Sequence, residues 1–412
     1  MSRLEELLRE LCPDGVEYKP FGETATILRG ASPRPIKNFI TTDEDGINWI
    51  KIGDVAQGSK YVTHASERIT EAGAKKSRRV KPGDFILSNS MSFGRPYILQ
   101  IEGCVHDGWL IISEYSANFL PDFLYHLLNS TSIQQEMAKR ASFGGAVQNL
   151  NADIVRALVL PVPPLEVQSE IVRILDNFTE LTAELTAELT ARKKQYEYYK
   201  TKVFTSYQYE EVTLGKVLLS IHTGLNPRKF FKLNTDDAEN YYVTIREFKG
   251  GQLQFTDKTD RINDEALRLC NNRSNLEVGD VLFSGTGTIG EMYVIEEEPT
   301  NWNIKEGVYS LKPNPERVLS KYLKYYLSTK PMQDKFEMLA EGGTVKSISM
   351  KKMDAMIIQL PSIEDQRKIV AILDRFDILC NDLSAGLPAE IEARQKQYEY
   401  YRDKLLTFKE LA

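Results

Sequence analysis

LPVPPLEVQSEIVRILDNF (Leu160–Phe178) and LPSIEDQRKIVAILDRF (Leu360–Phe376) are two versions of one segment, about two hundred residues apart in a chain of 412. A second pair follows them in the same order: RKKQYEYYKTKVF (Arg192–Phe204) and RQKQYEYYRDKLL (Arg394–Leu406). Chance does not place both I-V-x-I-L-D and QYEYY twice in one order, so the chain is duplicated. Between the first pair's members and their QYEYY blocks lies a spacer. In the first copy it contains LTAELTAELTA (Leu181–Ala191), a four-residue unit repeated.

Working outward, weaker matches keep the same order. GASPR (Gly30–Arg34) parallels GLNPR (Gly224–Arg228), and VKPGDFILSNSMSFG (Val80–Gly94) parallels LEVGDVLFSGTGTIG (Leu276–Gly290). FLPDFLYHLLNS (Phe119–Ser130) parallels VLSKYLKYYLST (Val318–Thr329), and FGGAVQNLN (Phe143–Asn151) parallels EGGTVKSIS (Glu341–Ser349). Each half is therefore a globular domain followed by a long helix. The segments are 1–165, 166–206, 207–363 and 364–412.

The end blocks have helical periodicity. Leu175, Thr182, Leu189, Tyr196 and Val203 fall on one heptad position, and Ile171, Phe178, Leu185, Arg192 and Tyr199 on the other. Two isolated core helices are the alternative; the length of the seam favours a coiled coil. Pro163-Pro164 opens the first helix, and Ser362 with Asp365 three residues on marks the start of the second. The second helix loses phase at SAGLP, where Gly386 and Pro388 intervene, and it carries about one extra turn before QYEYY.

Within the globular parts, short β-branched and aromatic runs (INWIKI, DFILS, YILQI, YYVTI, DVLFS, MYVIEE) alternate with Gly, Pro, Asn and Asp. That pattern predicts twisted, mostly antiparallel sheet with short helices at Pro121–Asn129 and Ser320–Ser328. The fold class is α+β: two similar mixed α/β domains separated by two long helices.

Composition excludes several functions. No apolar run reaches the length of a membrane span, and MSRLEELLRELCPDG is charged and helical in pattern, unlike a signal peptide. Cys12, Cys104, Cys270 and Cys380 are far apart, as expected of small buried residues in a reducing cytoplasm, and no metal-ligand spacing occurs. Gly285–Gly290 satisfies GxGxxG, but a strand-like run follows where a dinucleotide site needs a helix; a glycine-rich hairpin fits better. There is no phosphate loop, no adenine-methyltransferase motif and no nucleophile elbow. A duplicated chain without catalytic motifs has the form of a reader or scaffold.

Two diverged domains held apart by matching helices suit the reading of two short elements of a polymer at fixed separation, and DNA presents such elements. The net charge of −6 rules out a uniformly basic surface but not local basic faces. Candidate phosphate contacts are Lys75, Lys76, Arg78 and Arg79 in ERITEAGAKKSRRVKPGD, with Arg29 and Arg34 in one half and Arg228 and Lys229 in the other. Asn89, Ser90, Ser92, Arg95, Gln148 and Asn149, with Lys346 and Ser347 in the second half, could reach base edges. Taken singly, a run such as KKSRR is more commonly a solvated face.

At SEIVRILDNFTELTAELTAEL with RKKQYEYY, and RKIVAILDRFD with RQKQYEYYRDKLL, the chain resembles the specificity subunit of type I restriction–modification systems, in particular the subgroup with TAEL repeats. The resemblance spans essentially the whole chain. It implies two target recognition domains, each reading one half of a bipartite asymmetric site in double-stranded DNA, and two conserved helices packed as an antiparallel coiled coil. It also implies two adenine-methylating subunits and two translocating endonuclease subunits as partners. S-adenosylmethionine, ATP and Mg²⁺ would belong to those partners, leaving this chain non-catalytic, without a cofactor and without a membrane role. The family's DNA contacts lie in variable loops, so no contact motif carries over. Tyr196, Tyr198, Tyr199, Tyr398, Tyr400 and Tyr401 are more aromatic surface than one seam can use, and are candidates for partner docking. A protein-only coiled-coil adaptor is the competing reading; a solitary nuclease or methyltransferase is a third.

Overall fold

The computed structural model describes residues 2–411 except 56–57, 90–92, 142–149, 206–208, 250–251, 344 and 383–384, and the side chains of 205 and 249. Its contacts divide into two compact units: residues 1–184 with 391–412, and residues 185–390. Each unit thus combines one globular domain with parts of both conserved helical regions. The first boundary falls inside the TAEL repeat.

In the first unit, strands Thr26–Arg29, Trp109–Ser113, Phe85–Ser88, Pro96–Leu99 and Tyr61–Val62 form one sheet in that order. A second sheet runs Ile40–Thr41, Glu67–Ile69, Ile47–Ile50, Gly103–Val105, Arg78–Val80. The second unit repeats the plan with fewer strands. Leu218–Thr223, Val308–Pro313, Val281–Ser284 and Met292–Val294 make one sheet, and Arg261–Ile262, Asn240–Val243 and Trp302–Ile304 the other. Most pairings are antiparallel, as the alternating runs predict. Both units share one parallel pairing, Trp49–Ile50 beside Cys104–Val105 and Tyr241–Val243 beside Trp302–Ile304.

Gly285–Gly290 joins antiparallel strands Val281–Ser284 and Met292–Val294, so the GxGxxG match is a hairpin. Gly287 and Gly290 have φ of +83° and +93°, which glycine adopts without strain.

The first conserved helix is one element of 41 residues, Leu165–Thr205, beginning directly after the two prolines. The second is two helices, Ile363–Asn381 and Leu387–Leu405, rather than one long helix, so the expected interruption at SAGLP is a full break. The reason lies at the predicted phase break. A Cβ on Gly386 would collide with the backbone oxygen of Ile378, and Pro388 sits in the first turn of the restarted helix, where no N–H is needed. Ser362 caps its helix as predicted, accepting from the Asp365 amide at 3.2 Å.

A buried glutamine ties each domain to the start of its following helix. Gln168 and Gln366 are both fully buried. Gln168 accepts from the Leu120 amide at 2.8 Å and donates to the carbonyls of Asn118 and Pro163 at 2.7 and 2.8 Å. Gln366 repeats this on Leu319, Arg317 and Pro361 at 2.9 Å each. These bonds satisfy backbone groups that have left the strands but not yet entered the helix, which burial would otherwise penalise.

The QYEYY block that packs on each domain comes from the other copy. His126 of the first domain hydrogen-bonds the Tyr398 hydroxyl at 2.9 Å, and Phe178 stacks on Tyr401. In the second unit Phe376 stacks on Tyr196 and Tyr199. Phe178 meets Tyr401 while Tyr199 meets Phe376, the reversed order of an antiparallel pair.

Candidate nucleic-acid interface

In the first unit, strands Gly103–Val105 and Trp109–Ser113 are joined by the turn His106-Asp107-Gly108, on which the Arg29–Arg34 stretch and Asn89 converge. Asp107 Oδ1 accepts from Ser32 Oγ at 2.7 Å, and Oδ2 from Arg34 Nη2 at 3.2 Å. The Asp107 backbone carbonyl takes Arg29 Nε and Asn89 Nδ2, each at 3.1 Å. Arg78 Nε donates to the Arg29 carbonyl at 3.0 Å. Gly30 is required here because a Cβ would run into the His106 backbone oxygen. Chiefly the Ser32 hydroxyl, and beside it the imidazole of His106 and the Arg34 guanidinium, holds the Asp107 carboxyl below its ordinary range. The turn borders a cleft of about 350 Å³ lined by Ser32, Arg34, Trp49, Lys51, His106 and Asp107 among others.

The second unit builds the same corner with different side chains. Glu306 takes the place of Asp107 and accepts from Asn226 Nδ2 at 2.9 Å. Gly224 packs against the Ile304 carbonyl as Gly30 does against His106. The Gly285 amide donates to Gly307 O, as the Asn89 amide does to Gly108 O. The Gly287 amide then donates to Lys346 O, and Ser347 bridges Thr286, so the Lys346–Ser347 segment lies on the glycine hairpin.

The candidates sort unevenly on this frame. Arg29, Arg34, Arg78 and Asn89 come together around Asp107, with Asn89 itself only 4% exposed. Adjacent strand residues point to opposite faces, so Arg79 leaves its neighbour Arg78 and pairs with Glu71 at 2.6 Å. That partner holds its guanidinium above its usual pKa. Lys75 and Lys76 are exposed, and Lys76 lies over the Phe39 ring at 4.8 Å. Arg95 is elsewhere, in a cleft with Tyr97, Tyr125, Tyr398 and Arg402. Arg228 and Lys229 are exposed on the short helix Pro227–Phe230, beside Asn226. Ser90, Ser92, Gln148 and Asn149 lie outside the described residues.

Sequence reasoning missed Asp107, Ser32, Glu306 and Asn226. Their signal was present in the paired VHDGW (Val105–Trp109) and IKEGV (Ile304–Val308), read together with the Ser32-Pro33 and Asn226-Pro227 pairs.

The six tyrosines divide by use. Tyr196 is 6% exposed in the second core, with its hydroxyl pKa raised by burial, and burial likewise pushes Tyr398 up to about 12. Tyr199 and Tyr401 stack on Phe376 and Phe178. Tyr198 and Tyr400 keep 59% and 62% of their surface open, flanked by Lys202 and Lys404, so these two have free area for a partner. Among the described residues no group of His, Cys, Asp and Glu is arranged to hold a metal, and no helix is long and apolar enough to cross a membrane.

Two equivalent polar, arginine-bearing corners on duplicated α+β domains, joined through matched helices, define a two-site reader. The model of the type I restriction modification DNA specificity domain matches the chain twice, over residues 13–192 and 207–393. A type I restriction enzyme specificity chain of Haemophilus influenzae is 30% identical over 408 residues, covering 95% of this chain and 96% of that one. The Escherichia coli EcoR124I/EcoR124II specificity subunit is 35% identical over 253 residues, 60% of this chain and 61% of its own length. A chain from a structure of type I restriction–modification complex assembly aligns with TM-score 0.67 at 18% identity, covering 96% and 98% of the two chains. The HsdS subunit of Thermoanaerobacter tengcongensis aligns with TM-score 0.52 at 19% identity, covering 96% and 97%. This chain belongs to the family of type I restriction–modification specificity subunits. Its role is DNA sequence specificity within such a system.

Proposed function

We propose that the segments 1–165 and 207–363 act as target recognition domains, each reading one half of an asymmetric, bipartite site in double-stranded DNA. The observation that carries this is the repeated corner, Ser32–Asp107 in one unit and Asn226–Glu306 in the other. One scaffold position holds different polar groups, as two different half-sites require. The corner's arginines supply phosphate attraction, and its amide, hydroxyl and guanidinium groups match base edges in the major groove.

In this reading the helices at 166–206 and 364–412 set the distance between half-sites and dock the partners. Two methylating subunits bind around Tyr198 and Tyr400, and two translocating endonuclease subunits join through them. The chain holds no cofactor and catalyses nothing; S-adenosylmethionine, ATP and Mg²⁺ act in the partners, in the cytoplasm.

Coexpression with the methylating subunit, followed by methyladenine mapping across a genome, tests this. The expected result is a two-part asymmetric motif with a fixed spacer. A palindromic motif would overturn the two-domain reading. Absence of any motif would favour a protein-only adaptor.

A further inference from the structure

The geometry points to Arg34 as the residue that reads a guanine in the first half-site, with Asp107 as the positioning residue that aims it. This rests on the reading of the loop corner as a DNA interface, and it assigns a base class to one side chain. Arg34 is 82% exposed in its side chain, yet one of its terminal nitrogens is held by Asp107 Oδ2 at 3.2 Å. The carboxylate is itself fixed, by Ser32 Oγ at 2.7 Å on its other oxygen and by the Asp107 amide donating back to Ser32 Oγ at 3.2 Å. It also lies 3.2 Å from His106 Nε2. An exposed arginine anchored at one end loses rotational freedom but keeps its outer N–H groups for a ligand. Guanine O6 and N7 form the acceptor pair that this fork fits in the major groove. At such exposure the ion pair contributes little to stability, so its consequence is orientation.

The second unit supplies an internal contrast. Arg228 stands at the equivalent place, but Glu306 is engaged by Asn226 Nδ2. The Arg228 bond at this corner is made by its backbone amide, to Asn226 Oδ1 at 3.0 Å. No carboxylate among the described residues aims the Arg228 guanidinium, so Arg228 serves as a mobile phosphate contact.

The test is methyladenine mapping with the methylation complex carrying Arg34→Ala, Asp107→Asn or Arg228→Ala, and thermal melting of each complex. The side-chain amide introduced by Asp107→Asn would keep an oxygen for Ser32 while turning an N–H₂ towards Arg34, and the backbone bonds to Arg29 and Asn89 would remain. Arg34→Ala and Asp107→Asn are expected to relax one guanine position of the first half-site, by about tenfold or more. Every position of the second half-site should be unchanged. Arg228→Ala should weaken methylation evenly across all sequences, without relaxing any position. Unfolding would lose both half-sites together and lower the melting temperature, so it cannot imitate single-position relaxation. A uniform weakening in Arg34→Ala, or an unaltered motif, overturns the assignment while leaving the two-domain reading intact. Loss of single-base discrimination in Arg228→Ala would overturn the contrast. A parent complex with no two-part motif would instead overturn the proposed function.

Discussion

His126 in the first unit reaches Asp176 and the Tyr398 hydroxyl at 3.1 and 2.9 Å; at the same point of the second unit Tyr325 reaches Asp374 at 2.6 Å. The donor changed and the carboxylate did not. Gln168 and Gln366, by contrast, keep all three of their bonds, and Gln134 and Gln333 likewise hold the carbonyls of Gly94 and Gly290. Groups that satisfy buried backbone have one workable geometry, whereas a side-chain pair can be rebuilt from other donors. Drift is greater still at the corners around Asp107 and Glu306, where the carboxylates are paired with side chains, Ser32 and Arg34 in one unit and Asn226 in the other.

Removing the shared glutamines should have the largest effect. Gln168→Ala and Gln366→Ala each strand one amide and two carbonyls, and each is expected to destabilise its own unit by about 3 kcal/mol. Denaturant unfolding with a probe in each unit would show it. Markedly unequal losses would mean that the two units do not share one framework.

Next comes the repeat. One TAEL adds about 6 Å of rise and ~40° of net rotation, close to one base-pair step in angle and nearer two in rise. Adding or deleting a unit should change the spacer and leave both half-sites as they were. Altered half-site bases in a methylation map would contradict the separation of distance from sequence.

Tyr198→Ala and Tyr400→Ala should each weaken binding of the methylating subunit by about tenfold and leave thermal stability nearly unchanged. Titration of the partner against each variant checks this. If only one matters, the two docking surfaces are not equivalent.

The smallest effect expected is on pH. Burial raises the carboxyls of Asp84 in the first unit and Asp280 in the second alike, while hydrogen bonds from Ser32 and His126 hold those of Asp107 and Asp176, both in the first unit, below their ordinary values. A lowered carboxyl stabilises above its unfolded pKa, near 3.9, and that contribution is lost as pH falls through the folded value. A raised carboxyl has the opposite sign, and acid relieves its cost. Below about pH 4 the first unit should therefore lose stability ahead of the second. Trp302→Phe leaves Trp49 and Trp109 to report the first unit by fluorescence. Simultaneous acid transitions would remove the distinction.

The helices and strands were legible because their causes are local. Proline pairs, a capping serine, heptad spacing and β-branched runs act within a few residues, so the glycine hairpin and the break at Gly386 could both be placed from sequence. The corner was only half legible. Arg29, Arg34, Arg78 and Asn89 stood out as polar loop residues, but Asp107, which joins three of them, looks like any turn aspartate. The run from Lys75 to Arg79 looked like one patch, and the strand pleat divides it.

Duplication, the order of α+β domain then helix in each half, and the place of the TAEL unit between the halves are all written in the residue order. Each follows from repetition and short-range periodicity, which need no knowledge of the chain's path. That each domain packs on the QYEYY block of the other copy emerges from the folded chain alone. Folding likewise brings Arg29 to Asp107 across 78 residues of sequence. Such contacts are selected by the packing of whole sheets and helices, and no window of sequence contains both partners.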